Sequence, residues 1–319
     1  YNKVLSIDSN HFGSIYLLGS LFIQTKNLNK AKTLLQRAIQ IDPNYSDAHY
    51  NLGNALAELQ EFEKAIICFK KAAEINPKNA DTHNNLGNLL KKIGQIQEAE
   101  NCYKKAIEIN PEYASAYYNI GNLLKEEGKF QDAIVNYNKA IEFYKKEKKT
   151  EKNQSNYVNA LHSLGGVQRE LGKLEEAKNY YEQVIKIKPD HEQAYNNLGI
   201  VLKELDKFNE ATICYEKAVK IKPNYALAYH NLGIINKLLG NFKKTVNAFQ
   251  KAIEYEPDNL FHYYHLSDFK KEILDKKTKN KINKIVNTKN TSKINLAYGN
   301  FLLSKYELED KNYKKELDY

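Results

Sequence analysis

The sequence predicts an all-α solenoid of paired helices, and three observations carry that prediction. A Leu-Gly marker recurs at a fixed step: Leu18-Gly19, Leu52-Gly53, Leu86-Gly87 and Ile120-Gly121 stand 34 residues apart, a step of 44 reaches Leu164-Gly165, and the 34-residue step resumes at Leu198-Gly199, Leu232-Gly233 and Leu266-Ser267. All six prolines (Pro43, Pro77, Pro111, Pro189, Pro223 and Pro257) stand 25 residues after a marker. Small and large residues also alternate in register, with Ala31, Ala65, Ala99, Ala133, Ala177 and Ala211 preceding Leu35, Phe69, Tyr103, Tyr137, Tyr181, Tyr215 and Phe249. Such a period marks stacked supersecondary units, each touching only its neighbours, so the length of 319 residues counts tiles and not separate cores.

Within a tile the apolar spacing gives two helices. In the second tile the first spans about 47–59, with Leu52, Ala55 and Leu56 on one face, and the second about 63–75, with Ala65, Phe69 and Ala72. Gly94, Gly128, Gly172 and Gly240 mark the turn between helices, where a left-handed residue closes the first; Gln60 and Asp206 stand near that place in other tiles. Proline ends the second helix, because it lacks the backbone donor and restricts its predecessor, and it suits the first turn of the next helix. The alternation of small and large residues lets the two helices interdigitate without voids.

The array is expected to cover residues 1–268, with 1–9 as the tail of a preceding repeat. The fourth tile carries ten extra residues around KKEKKTEKNQSN (145–156), expected to lengthen its second helix and add a surface loop. Residues 269–319 form a variant, Lys-rich helical segment. Within it 270–286 is a helix candidate through Ile273, Leu274, Ile282 and Ile285, although Lys279 and Asn283 replace the expected Ala and aromatic. Beyond Thr288 the pattern suggests another helix pair with an elongated first helix, cut within its second. Neither end shows the polar cap a solenoid needs, so the chain reads as a piece of a longer array.

Composition narrows the functional classes. The net charge of +9 comes from 48 basic and 39 acidic residues, yet only Arg37 and Arg169 are arginines. Lysine lacks the planar fork that reads guanine or clamps phosphate, so no specific nucleic-acid recognition is expected. Nine lysines against Glu272 and Asp275 make 270–293 locally basic. Attachment of that segment to nucleic acid or anionic lipid is disfavoured by the scarcity of arginine and of interleaved aromatics. No apolar run approaches the ~18 residues of a membrane span, and no signal peptide is seen, which points to the cytoplasm.

Cys68, Cys102 and Cys214 share one repeat position, as small packing residues do. No phosphate loop, zinc-binding helix or nucleophile elbow occurs. His262 and His265 have the spacing of a metal pair but lack a third ligand type at matching positions. No catalytic residue, metal or cofactor is therefore predicted. His49, His83, His162 and His230 read as helix-surface or groove residues.

The recurring Leu-Gly, Ala, aromatic, Ala and Pro positions over 34 residues resemble the tetratricopeptide repeat family across about residues 1–260. The resemblance implies antiparallel helix pairs stacked into a right-handed superhelix, with a concave face lined by first helices and a binding rather than catalytic role. Directly before the markers stand Asn51, Asn85, Asn119, Asn197 and Asn231, and two after them Asn54, Asn88 and Asn122. Positions three apart share a helix face, and asparagine is a mediocre helix former, so propensity does not explain the rows. They resemble the asparagine ladder of the array attached to O-linked N-acetylglucosamine transferase, where the ladder holds peptide backbone. Two alternatives are that Asn is habitual in this lineage, or that it binds the neighbouring tile.

A third row, Lys91, Lys125, Arg169, Lys203 and Lys237, lies toward the groove in the family's geometry and could draw in an acidic or phosphorylated peptide. The carboxylate clamp of the chaperone-binding subset is not supported, because Tyr50, Asn84, Tyr118, Asn196 or His230 stands where it would begin. Tyr16, Tyr50, Tyr118 and Tyr264 add amphipathic contact area. At ~1 kcal/mol per hydrogen bond, eight asparagines support no better than about micromolar binding. The leading expectation is a protein-interaction scaffold holding an extended peptide or partner segment. The alternative is a substrate-presenting array of a larger transferase, glycosyltransferase- or sulfotransferase-like, whose catalytic domain lies outside this chain.

Overall fold

The structure, a computed structural model, describes residues 1–146, 150–269 and 275–309, and every regular element among them is a helix. It divides into two compact units, Tyr1–Ser163 and Leu164–Tyr319.

In the first unit a short α1 (Asn2–Leu5) precedes four packed pairs: α2 (Phe12–Gln24) with α3 (Leu28–Ile41), α4 (Ser46–Glu58) with α5 (Phe62–Ile75), α6 (Ala80–Lys92) with α7 (Ile96–Ile109), and α8 (Ala114–Glu126) with α9 (Phe130–Lys146). The marker glycines make this pairing possible. A Cβ on Gly87 would lie 2.6 Å from Tyr103 Cε1, and one on Gly121 would lie 2.8 Å from Tyr137 Cδ1, so the aromatic of each second helix lies against bare backbone of the first. Leu52, Leu56, Phe69, Leu86, Leu90, Tyr103 and Leu123 continue one buried core from pair to pair.

Both kinds of turn have local chemical causes. Between the helices of a pair the backbone turns left-handed at Gly94 (φ 85°) and Gly128 (φ 74°), while Lys26 (58°) and Gln60 (63°) adopt the same conformation without glycine's freedom. Between pairs, proline comes after the helix cap and lies in the turn, three residues before the next helix and not in its first turn as expected. Ahead of it Asp42, Asn76 and Asn110 accept from the backbone N–H two residues on, at 3.0, 3.3 and 3.1 Å. The proline carbonyl is then used by the next helix: Nε2 of His49 lies 2.9 Å from Pro43 O and Nε2 of His83 3.0 Å from Pro77 O, while the Tyr117 hydroxyl donates to Pro111 O at 3.2 Å. His49 and His83 are thus buried links to the preceding turn, not the surface or groove residues expected.

The insertion differs from expectation. α9 gains one turn relative to its counterparts, but most of the added polar sequence enters α10 (Glu151–Glu170), a 20-residue helix, instead of forming a loop. Residues 147–149 lie outside the described residues.

In the second unit Gly165 of α10 faces Tyr181 of α11 (Leu174–Ile187). The pairs α12 (Glu192–Glu204) with α13 (Phe208–Ile221) and α14 (Ala226–Leu238) with α15 (Phe242–Tyr255) repeat the arrangement of the first unit. After α16 (Leu260–Ser267), α17 spans Lys276–Val286, capped by the Asp275 carboxylate on Thr278 N at 2.7 Å. The earlier part of the expected 270–286 helix, with Ile273 and Leu274, lies outside the described residues. The elongated α18 (Lys293–Glu309) packs on both α16 and α17 through Leu302 and Leu303 against Leu260, Tyr263 and Ile282. The remaining residues, 310–319, are not described. Lys279, standing where alanine is usual, bonds the buried carboxylate of Glu307 and lies 3.9 Å from the Tyr306 ring centre.

Candidate peptide-binding face

The asparagine rows lie along the first helices, and in the first unit they bond from tile to tile. Asn51 donates both amide N–H groups to the preceding first helix, to the Tyr16 hydroxyl at 3.2 Å and to Ser20 Oγ at 3.0 Å. Asn85 does the same to the Tyr50 hydroxyl (3.1 Å) and Asn54 Oδ1 (3.2 Å), and Asn119 to Asn84 Oδ1 and Asn88 Oδ1, both 2.9 Å. An asparagine before the marker therefore staples its tile to two positions of the tile before it. The recurrence that helix propensity left unexplained has a structural cause in the first unit, since Asn51, Asn85 and Asn119 each close two bonds between helices.

The second row points its bonding the other way. Asn88 Oδ1 also accepts the Tyr103 hydroxyl at 2.9 Å, and Asn122 Oδ1 accepts that of Tyr137 at 2.8 Å. Burial and these environments hold both phenols well above their usual ionisation range, so each remains a donor at any ordinary pH. The amide N–H groups of Asn88 and Asn122 then have no hydrogen-bond partner among the described residues, and neither do the carbonyls of Asn51 and Asn119. All four side chains keep partial or full exposure. The face offers alternating acceptors and donors, each fixed by its inward bonds.

In the second unit the network is thinner. Asn231 donates to Asn196 Oδ1 at 2.8 Å, and Asn197 receives the Asn196 amide at 3.3 Å. Ile200 and Ile234 replace the second row, and the effect shows at Tyr215, whose buried hydroxyl has no partner among the described residues.

The cationic row is largely neutralised by the next tile. Lys91 pairs with Glu126 at 2.7 Å, Arg169 with Glu204 at 3.9 Å, and Lys237 with Asp268 at 3.6 Å. Lys125 and Lys203 have no ion-pair partner among the described residues. The position of the row does not show its acidic partners, which lie one tile on as Glu126 and Glu204, both six residues after a marker.

Other candidates carry little chemistry. Burial pushes the thiols of Cys68 and Cys214 up to about 11, away from reactivity. Among the described residues no group of three or more His, Cys, Asp or Glu is arranged to hold a metal, and no helix is long and apolar enough to cross a membrane. His230 and His262 are buried against each other, Nδ1 to Nδ1 at 3.0 Å, so His230 is not the surface residue expected.

Comparison with known proteins agrees with this architecture. Tetratricopeptide repeat models match residues 80–113, 112–190, 192–225 and 214–246, and a TPR repeat model matches 19–60 and 53–94. No curated protein sequence matches. Among solved structures, PilF of Pseudomonas aeruginosa superposes with a TM-score of 0.59 at 19% identity, covering 71% of this chain and 97% of that one. A tetratricopeptide repeat protein of Parabacteroides merdae gives 0.58 at 18% identity, covering 80% and 97%. The C-terminal part of a repeat protein of Cytophaga hutchinsonii gives 0.57 at 16%, covering 79% and 99%. At these identities the likeness speaks for the fold. With repeat models matched over most of its length and the helix pairs in place, the chain belongs to the tetratricopeptide repeat family, whose arrays are protein-interaction scaffolds and not catalysts.

Proposed function

We propose that this scaffold holds an extended peptide or partner segment along the first helices of its first unit, on Asn51, Asn54, Asn85, Asn88, Asn119 and Asn122, and that Asn197 and Asn231 offer the corresponding contacts within the second unit. The observation that carries the reading is the unspent amide N–H of Asn88 and Asn122 beside the unspent carbonyls of Asn51 and Asn119. An extended backbone presents N–H and C=O in alternation, and such a surface answers both without reading side chains. The inward bonds order these amides before the ligand arrives, which lowers the entropic cost of binding. Affinity is modest and sequence-tolerant. Any preference for acidic segments rests on Lys125 and Lys203, since Lys91, Arg169 and Lys237 are already paired.

Asn88→Asp with Asn122→Asp keeps each inward acceptor and removes the outward donors. Fluorescence anisotropy with pools of extended peptides should show binding at least about tenfold weaker than wild type, equal to ~1.4 kcal/mol. Unchanged affinity at an unchanged unfolding midpoint would remove the asparagines from the binding face.

A further inference from the structure

We propose that the contact between the first helices α14 and α16 is a pH-sensitive latch, closed while His230 and His262 share one ring proton between them and released as the pair gains protons. The two Nδ1 atoms are 3.0 Å apart, a distance at which one must donate and the other accept. Nε2 of His262 lies 3.3 Å from Glu256 Oε2, so its proton belongs there. That leaves His262 Nδ1 as the acceptor and His230 Nδ1–H as the donor. The remaining nitrogen of His230, Nε2, is buried without a partner among the described residues, and so is Nδ1 of neighbouring His265.

Every way of adding a proton breaks something. A proton on His230 Nε2 finds no acceptor. One on His262 Nδ1 sets two N–H groups face to face. Relieving that by moving the His230 proton to Nε2 again leaves a buried donor unpaired. The surroundings offer little relief: Phe261 stacks on His230 with ring centres 4.0 Å apart, and Phe249 lies at 5.2 Å.

The charged groups around the pair come from several elements: Lys203 of α12 acts on His230 and Glu256 of the loop after α15 on His262, while Lys237 of α14 and Asp268, just past α16, act on neighbouring His265, and Asp268 pairs with both Lys237 at 3.6 Å and Lys305 of α18 at 3.0 Å. Burial above all, with His262, His265 and Lys203 adding to it, pushes His230 down to about 2. Burial also lowers His262, against the pull of Glu256, and lowers His265. These histidines bind protons less readily folded than unfolded, so their contribution to stability is complete well above the ordinary value of ~6.5 and is lost as pH falls below it.

The test uses the whole chain. A histidine that stays neutral in the fold raises the equilibrium for local opening about 25-fold between pH 7 and pH 5. Amide hydrogen exchange, corrected for intrinsic rates, should therefore show opening of α14–α16 rising about 25-fold or more, while α8 and α9, which contain no histidine, change far less. His230→Asn installs a residue that Asn84 and Asn196 already show to be accepted at this repeat position. It should cut the pH ratio by about the same factor. NMR gives an independent reading, in which the His230 ring of the folded protein does not titrate between pH 7.5 and 5. A wild-type ratio below about threefold, an unaltered ratio in His230→Asn, or a His230 ring titrating near its ordinary value would each overturn the latch.

Discussion

Replacing Tyr215 by Phe removes one oxygen atom, and the array should not miss it. Tyr103, Tyr137 and Tyr215 occupy the same repeat position and are all buried. The first two donate to Asn88 and Asn122 at 2.9 and 2.8 Å, but the tile of Tyr215 has Ile200 where that asparagine would stand, and its hydroxyl is unpartnered among the described residues. Tyr103→Phe therefore forfeits a net hydrogen bond, about 1 kcal/mol, while Asn88 keeps its bond from Asn119. Tyr215→Phe instead relieves a buried polar group whose desolvation costs about 1–3 kcal/mol, so the variant should be neutral or more stable by about 1 kcal/mol. The two variants then differ by about 1–2 kcal/mol. Solenoid stability is a sum of local and nearest-neighbour terms. The urea midpoint should accordingly be read together with hydrogen-exchange protection over α6–α7 and α12–α13. Equal destabilisation by the two substitutions would refute the assignment.

Three further expectations concern packing and reactivity. Gly233→Ala places a Cβ 2.5 Å from Phe249 Cε1 and should cost about 1–3 kcal/mol despite alanine's helix propensity, whereas Gly166→Ala meets only Tyr181 Oη at 3.6 Å and should gain up to about 1 kcal/mol; denaturant midpoints distinguish them. Lys279→Ala strands the buried Glu307 carboxylate and should destabilise the α17–α18 contact by about 3–5 kcal/mol, seen as loss of exchange protection there. Cys68 and Cys214, raised to about 11 from 9.0, should react with a thiol reagent at pH 8 about a hundredfold more slowly in the folded chain than after unfolding.

The repeat period, both helices of each tile and the turns were legible because one residue type at one spacing suffices for each. The partner of Asn85 was not, because Tyr50 and Asn54 lie 35 and 31 residues earlier and only the stacking of tiles brings them together. The same holds for Lys91 with Glu126. The polar insertion lengthens the second helix, α9, as its position suggests, but the expected loop is largely replaced by the extended α10, because a long helix exposes one side to solvent as well as a loop does. The contact between His230 and His262 was hidden because their repeat positions are two apart in phase, so no single-tile comparison pairs them.

On the proposed reading a partner segment lies along the first helices, bonded to asparagines already oriented by the neighbouring tiles. Side-chain amide NMR of the chain with a saturating extended peptide tests it most directly. The N–H resonances of Asn88 and Asn122 should shift and gain contacts to peptide carbonyls, while those of Asn85 and Asn119, spent on the neighbouring tile, should keep their partners. Contacts confined to second helices such as α5 and α7, with the Asn88 and Asn122 resonances unmoved, would rule out an asparagine-bound partner.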